Sequence, residues 1–188
     1  MRKSKAETAK TREHILEVAA DQFMAHGIND AGLARVMKAA GLTHGGFYRH
    51  FSSKDELVAE ACRKAFSSLT ADLDSEGDLT KIVREYLSRN HRDNPRTGCP
   101  LATVGSELAR SDMRTRREAT EGFLRIVQVI SRRLKRGSAK EIVAKATAIA
   151  AVMVGAVTLA RIVPDPRLST SILAAAEAQI LEATRKMR

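Results

Sequence analysis

The chain has 188 residues, a formal net charge of +10 and 44% hydrophobic residues, with 5 Phe, 2 Tyr and no Trp. A core built mainly from Ala, Leu, Val and Ile suits close helix packing better than a sheet, so an all-α fold is predicted. The charge implies an anionic partner, most commonly nucleic acid. The alternative is a set of solvated helix faces, because much of the surplus lies between residues 110 and 136.

The cysteines and the N-terminal segment indicate the cellular compartment. Cys62 and Cys99 are far apart in sequence, which argues against a disulfide framework or a metal-ligand set. The N-terminal segment is polar and charged, without an apolar signal region, so the cytoplasm is expected. The uncharged run 146–160 is shorter than the roughly 20 residues that span a bilayer and predicts a buried helix. No membrane contact, metal or cofactor is expected.

The first helices are short and separated by glycine. Residues 1–8 are predicted to form a basic, mobile arm, followed by a helix from about Ala9 to His26 that Gly27 closes. Asp30 is the predicted cap of a second helix. Gly41 is predicted to end that helix in a left-handed conformation, which glycine adopts most easily.

The segment after Gly41 predicts a third helix with one face on the core. Thr43 is its predicted N-cap. Phe47 and Phe51 are four residues apart and therefore share the inner face, whereas Tyr48 points away from it.

A longer fourth helix is predicted to connect this region to the rest of the chain. Ser53 and Glu56 form a capping-box pattern at its start, and it continues to about Leu73. A polar break follows at 74–78. The remaining predicted helices cover about 79–90, 100–111, 113–136, 138–163 and a last segment ending near 187.

Residues 10 to 54 resemble the DNA-binding head of the TetR family of transcriptional regulators. The resemblance rests on the helix from Ile15-Leu16 to Phe23, the turn Ala39-Ala40-Gly41-Leu42, the recognition helix Gly45 to Phe51, and Lys54 opening the next helix. It implies a two-part all-α fold of about nine helices. A three-helix helix-turn-helix head is expected over 1–54, and a ligand-binding and dimerisation body over 55–188.

The resemblance also implies the residues that contact DNA. Small residues at the start of the recognition helix let the backbone approach, and a helix N-terminus favours phosphate. Family members often carry Ser or Thr near the start of helix two, where this chain has Ala31-Gly32, so no contact is assigned there. Arg49 is equally compatible with a solvated charge, and the histidines with exposed positions that have no task. The predicted set is Thr43, His44, Gly45, Gly46, Tyr48, Arg49, His50 and Lys54.

A single head makes too few base contacts for useful selectivity, so a homodimer on a pseudo-palindromic double-stranded DNA operator is expected. On each of the last two helices, apolar and small residues at helical spacing form a stripe, and these two stripes are the predicted dimerisation surface. The alternative is that both stripes are buried in the protomer's own core. The predicted dimerisation residues are Ile149, Met153, Gly155, Ile172, Ala176 and Ile180.

The resemblance further implies a small-molecule effector cavity among the middle helices. The apolar candidates are more often plain core than pocket wall, and Glu107, a candidate polar anchor, is equally compatible with a surface position. The candidate lining residues are Phe66, Tyr86, Glu107, Met113, Phe123, Val127, Met153 and Val157.

A separate hypothesis is that Cys99 acts as a sensor. Pro100 suits the first position of a helix, which places Cys99 at a helix N-terminus with Arg96 nearby, and both stabilise a thiolate. Cys99 would then sense electrophiles or oxidants. The alternative is a small buried residue at a helix bend.

Together these patterns predict a dimeric, ligand-responsive repressor and not an enzyme, because no catalytic motif stands out. Two alternatives remain: a helical ligand-binding or thiol-based protein with a vestigial head, and a non-specific DNA-compacting protein.

Overall fold

Nine α-helices and two short 3₁₀ helices make up the regular structure of residues 4–185, the part of the chain that the computed structural model describes. No strand occurs within that range, so the predicted all-α fold is confirmed. The α-helices are α1 (Lys5–His26), α2 (Leu33–Ala39), α3 (Lys54–Ser75), α4 (Leu79–Tyr86), α5 (Arg89–Asp93), α6 (Pro100–Leu108), α7 (Met113–Ser131), α8 (Ala139–Ile162) and α9 (Pro166–Arg185), and the 3₁₀ helices cover His44–Arg49 and Pro95–Thr97.

Helix α1 begins earlier than the sequence predicted. Ser4 accepts a hydrogen bond from the Glu7 N–H at 3.1 Å, and the Glu7 carboxylate accepts one from the Ser4 N–H at 2.7 Å. This capping box satisfies two backbone donors, so the chain is helical from Lys5. The predicted mobile arm is therefore wrong from Ser4 onward, and its first three residues lie outside the described range.

The turn between α2 and the recognition segment matches the prediction, whereas the start of α2 does not. Gly41 has φ +70, and Leu42 N–H donates to Met37 O at 2.8 Å. A residue with a side chain would be strained in that conformation. The predicted cap at Asp30 is wrong, because Gly32 occupies the N-cap position and no side chain caps α2.

Helix α3 connects the two parts of the molecule, packing on α1 on one side and on α7 on the other. Ser53 caps it by accepting from the Glu56 N–H at 3.1 Å. The second half of the predicted capping box differs, since the Glu56 carboxylate accepts from the Ser52 N–H at 2.7 Å. The division predicted at residue 54 stays a prediction, because α3 runs unbroken to Ser75.

The body core depends on a close approach of α3 and α7. Phe66 is fully buried, and a Cβ placed on Gly122 would lie 2.2 Å from the Phe66 Cγ. Only a glycine therefore fits at position 122 without movement of the ring.

Helix α7 ends five residues earlier than predicted. Its last residue is Ser131, and Arg133 turns back toward the polar segment after α3. The Arg133 Nη2 atom donates to the backbone carbonyls of Asp74 at 2.7 Å and Glu76 at 2.8 Å. These bonds hold the chain in a turn where the sequence pattern alone predicted another helical turn.

Helix α8 is long and apolar enough to cross a membrane by length and composition. One side of it, including Ala146, Met153, Val157 and Ala160, is buried in the protomer. Helices of this kind also form the cores of soluble proteins, so the feature is weak evidence for a membrane span.

Candidate DNA-binding surface

The recognition segment is a 3₁₀ helix, His44–Arg49, fixed by an aromatic pair. Phe47 is completely buried, and its ring stacks on that of Phe51 with centroids 5.5 Å apart. Tyr48 lies between them in sequence, packs edge-on against Phe47 and is 67% exposed. The predicted division into an inner Phe47–Phe51 face and an outer Tyr48 is confirmed.

The start of this helix presents backbone more than side chains. Thr43 has the extended conformation of an N-cap residue, as predicted, but its side chain makes no capping bond. A Cβ at Gly45 would meet no atom within 4 Å. A flat partner can therefore come close to the peptide groups here, as a helix N-terminus requires for phosphate contact.

The residues predicted to contact DNA lie along one continuous segment. Thr43, His44, Gly45, Tyr48 and Arg49 are exposed. Half-buried positions are taken by Gly46, His50 and Lys54, the last being the first residue of α3. Their contact with DNA stays a prediction.

Arg12 of α1 supports the far end of the recognition segment. Its Nε donates to the His50 carbonyl at 3.1 Å, and its guanidinium carbon lies 4.5 Å from the centroid of the Phe51 ring. A charged hydrogen bond and a cation–π contact thus act on adjacent residues. The sequence gives no signal for this role, because Arg12 is separated from His50 by 38 positions and no local motif links them.

Glu107 makes a second contact between the two parts of the molecule. Its Oε2 accepts from the Asn29 N–H at 2.8 Å, and its Oε1 lies 2.7 Å from the position that a Cβ on Gly27 would take. Gly27 also has φ +86, so position 27 excludes a side chain on two grounds. Glu107 was predicted as a polar anchor of an effector cavity or as a surface residue, and in the structure its carboxylate holds the turn after α1.

Two family models match the chain. Residues 15–61 match the bacterial regulatory proteins of the tetR family, and residues 77–179 match the C-terminal domain of LmrA/YxaF-like transcriptional regulators. The second match alone covers more than half of the chain. The chain belongs to the TetR family of transcriptional regulators.

Curated relatives match about half of this TetR-family protein. The regulator AcrR of Shigella flexneri is 37% identical over 92 residues, 46% of this chain and 42% of AcrR. The regulator SrpR of Pseudomonas putida is 40% identical over 94 residues, 48% of this chain and 44% of SrpR. The match thus spans less than half the length of these two relatives.

Solved structures extend the likeness in fold to the whole chain. The reduced form of NemR from E. coli has a TM-score of 0.73 at 21% identity and covers 90% of this chain and 95% of its own. A TetR-family regulator from Cytophaga hutchinsonii has a TM-score of 0.73 at 22% identity and covers 96% of this chain and 98% of its own. At such identities the likeness concerns the fold.

The predicted effector-site residues of the body are mostly packed in its core. Phe123 is half-buried and Met113 is 58% exposed, so Met113 faces solvent. Tyr86 is 2% exposed and borders a groove of about 310 Å³ that Asn90 and His91 also line, between α3 and the α4–α5 region. The predicted residues buried in the core are Phe66, Val127, Met153 and Val157.

Cys99 occupies the predicted place, but its environment is the reverse of an activating one. It precedes Pro100 at the start of α6, as predicted, and is completely buried. Burial raises the pKa of the Cys99 thiol, because the charged thiolate is disfavoured away from water. Arg96, the predicted activating cation, instead lies 3.5 Å from Asp21 of α1.

His91 fixes the backbone of the Cys99 segment. Its Nε2 accepts from the Cys99 N–H at 2.9 Å, and its Nδ1 lies 2.6 Å from the Tyr86 carbonyl oxygen. This pair of bonds requires a neutral ring with the proton on Nδ1. Burial lowers the pKa of His91, in agreement with that form.

The apolar surface of the body lies beside the predicted dimerisation residues, not on all of them. Three of them, Ile149, Met153 and Ile180, are buried in the protomer's own core and are not available to a partner in this structure. Gly155, Ile172 and Ala176 are half-buried. An outward face of α8, spaced by three and four residues, consists of Ala148, Val152, Gly155, Leu159 and Ile162, and we call it the outer α8 face.

Proposed function

We propose that this TetR-family protein is a dimeric cytoplasmic repressor that binds a pseudo-palindromic operator and is released by a small molecule. The observation that carries the proposal is the recognition segment. It is fixed from within by Phe47 and Phe51 and exposes Tyr48 and an unobstructed glycine start. A vestigial head would not need a rigid segment whose outward side is kept free of bulk.

The proposed DNA contacts follow from this placement. Thr43, His44, Gly45 and Gly46 approach bases and phosphates at the start of the recognition segment. Tyr48 and Lys54 hold phosphates on either side, and Lys54 acts together with the N-terminus of α3. Arg49 and His50 complete the contact surface.

The outer α8 face is the proposed dimer surface. Leu159 is 53% exposed and Ile162 69% exposed, so a large apolar area is open to solvent in one protomer. Gly155, on the same face, meets no atom within 4 Å of a Cβ position and allows a partner helix to come close. Exposed Ala174, Ala175 and Ala178 extend this small-residue surface onto α9. A second copy would cover both helices in a four-helix arrangement.

The proposed effector site is the groove of about 310 Å³ beside Tyr86. Tyr86 is the predicted effector residue that borders it, and Leu69 and Leu73 of α3 form another wall. An effector there would press on α3, the helix that carries the head, and change the separation of the two heads. A reactive electrophile is a second effector class, but the buried Cys99 with its raised pKa gives it no independent support.

Selection of bound duplexes from a random pool tests the proposal. The expected product is a pseudo-palindrome whose half-sites lie about one helical turn apart, preferred at least about a thousandfold over unrelated duplex. Tyr48→Ala should weaken binding to all duplexes, since it removes a phosphate contact. No enrichment would favour the vestigial head, and uniform binding to every duplex would favour DNA compaction.

A further inference from the structure

Glu60 is a buried carboxylate in α3 that arginines from three helices surround. Its side chain is 9% exposed. Arg12 of α1 binds both oxygens at 2.8 Å, from Nη1 to Oε2 and from Nη2 to Oε1. Arg114 of α7 reaches Oε1 at 3.3 Å and Arg63 of α3 reaches Oε2 at 3.7 Å. We call these four residues the Glu60 cluster.

Burial distinguishes this cluster from the other ion pairs of the described residues. Exposed pairs, such as that of Arg84 with Glu177 at 63% and 32% side-chain exposure, contribute little because water screens them. Removing one partner of a buried pair is costly, because a charge is left without compensation. The burial here is that of the carboxylate: Arg12, which binds both oxygens at 2.8 Å, is 33% exposed. Arg114 and Arg63 are 52% and 54% exposed, so water partly screens their contacts with Glu60.

On the side of the head, the cluster reaches the end of the recognition segment through Arg12. The same guanidinium that binds Glu60 donates to the His50 carbonyl and stacks over Phe51. The hydrogen bond with Glu60 raises the pKa of Arg12, in agreement with a tightly held charge. Glu60 at 2.8 Å, with a longer contact to Glu56 at 3.4 Å, therefore holds the Arg12 guanidinium. Arg12 in turn holds the backbone at His50.

On the side of the body, the cluster reaches α7 through Arg114. Arg114 lies in the first turn of α7, where Asp112 caps the helix. Helix α7 packs on both α3 and α8, and α8 carries the proposed dimer surface. Arg12 of the head and Arg114 of the body share one atom, Oε1 of Glu60, so this carboxylate oxygen is one of the points at which the two parts meet.

We propose that Glu60 is a positioning residue that couples the place of α7 to the orientation of the recognition segment. When Arg114 moves away with α7, Glu60 loses one of its cations and pulls Arg12 toward itself. The bond from Arg12 to the His50 carbonyl then lengthens. The consequence for DNA binding rests on the proposed function, whereas the coupling within the protein does not.

Hydrogen exchange in the DNA-free protein tests the coupling. Arg114→Gln should speed exchange of the backbone amides of residues 46–52 by at least about threefold, because local protection there depends on the held His50 backbone. The amides of residues 15–24 in α1 should be unchanged, which separates coupling from general loss of stability. Arg117→Gln, an exposed arginine of the same helix, is the matched control and should change neither segment. Equal exchange at 46–52 in the two variants would overturn the proposal.

A double variant separates coupling from independent effects. Glu60→Gln should also speed exchange at 46–52, and adding Arg114→Gln to it should cause no further increase, because the shared partner is already lost. Additive effects would show that Arg114 acts by another route and would contradict the proposal. If Glu60→Gln does not fold, the Arg114→Gln comparison still decides.

Affinity for the selected duplex distinguishes failure of this coupling from failure of the proposed function. Arg114→Gln is expected to weaken specific binding by about three- to tenfold and to leave binding to unrelated duplex unchanged, since it alters orientation and not charge contact. Wild-type affinity in Arg114→Gln would contradict the coupling. If wild-type protein selects no duplex, the proposed function fails, and the exchange experiment alone judges the coupling.

Discussion

The head and the body bury apolar residues in the same manner but leave opposite kinds of surface outside. In the recognition segment of the head, Phe47 and Phe51 are buried, and the exposed residues are small, polar or charged apart from Tyr48. In the body, α8 buries Met153 and Val157 and still exposes Leu159 and Ile162. Under the proposed function, the polar surface of the head is the one that meets DNA, and the apolar surface of the body is the one that a second copy covers.

The largest expected effect comes from breaking the body's outer surface. Leu159→Glu would place a charge within the outer α8 face, and burying an unpaired carboxylate is unfavourable enough to prevent association. We expect a monomer by sedimentation and a loss of about a hundredfold or more in affinity for the selected duplex, because one head provides half of the contacts.

Val143→Glu is the matched control for this change. Val143 is 52% exposed, close to the 53% of Leu159, and lies on the same helix. It is displaced by about 160° around the helix from Leu159, so it lies off the outer α8 face. A dimer that survives Leu159→Glu, or one that Val143→Glu also dissociates, would show that the dimer surface is elsewhere.

The next largest effects are expected from replacing one glycine in the body and one in the head. Gly122→Ala should lower the free energy of unfolding by about 1–3 kcal/mol, because its Cβ would overlap the Phe66 ring. Gly45→Ala should change that free energy by less than about 0.5 kcal/mol, since nothing lies within 4 Å of its Cβ position. Its effect should appear instead as weaker DNA binding.

Urea unfolding and duplex titration of both variants measure the two effects. A Gly45→Ala protein that binds DNA like wild type would show that the backbone at position 45 does not approach the duplex. A Gly122→Ala protein as stable as wild type would show that the contact between α3 and α7 relaxes without cost.

The head could be predicted from the sequence in more detail than the body. The head was predictable because its informative residues are local: Gly41 for the turn, the Phe47–Phe51 spacing for the inner face and Tyr48 for the outer one. The body was less predictable because burial there depends on distant partners. Ile149 and Leu159 are both aliphatic residues at helical spacing on α8, and only the packing of α7 and α9 shows which one is covered.

The same distance in sequence hid the contacts between head and body. Arg12 meets Glu60 across 48 positions and Glu107 meets Asn29 across 78. Neither pair has a motif that would reveal it. For Cys99 the sequence left two hypotheses open, because the helix start was predictable and the surroundings of the thiol were not. The structure agrees with the buried residue, and burial raises the pKa of its thiol.

Thiol alkylation tests that burial and is expected to show a smaller effect. At neutral pH, iodoacetamide should modify Cys99 at least about tenfold more slowly than a free thiol, because the raised pKa and the burial both suppress the reactive thiolate. Cys62 should also react slowly, since burial raises its pKa to about 12. Both should react at the ordinary rate in urea. A Cys99 that reacts faster than a free thiol in the folded protein would restore the electrophile-sensor hypothesis.

The smallest expected effect is a pH dependence of stability that originates in the body. The folded pKa of His91 is lowered, so its contribution to stability is present above the unfolded value of about 6.5 and is lost as the pH falls below it. The unfolded chain takes up a proton that the folded chain resists. Urea unfolding from pH 7 to pH 5 should therefore show falling stability, with a smaller slope in His91→Asn. Equal slopes would mean that His91 is protonated without cost in the folded state.

The spacing of half-sites tests most directly the central claim that two outward heads are held at a fixed separation by the body. Affinity should be measured for the selected duplex and for the same duplex with about five base pairs inserted at its centre, which turns one half-site to the opposite side of the helix. We expect a loss of affinity of about a hundredfold or more, because the two recognition segments can no longer enter their grooves together. Unchanged affinity would show that each head binds alone and would contradict the claim.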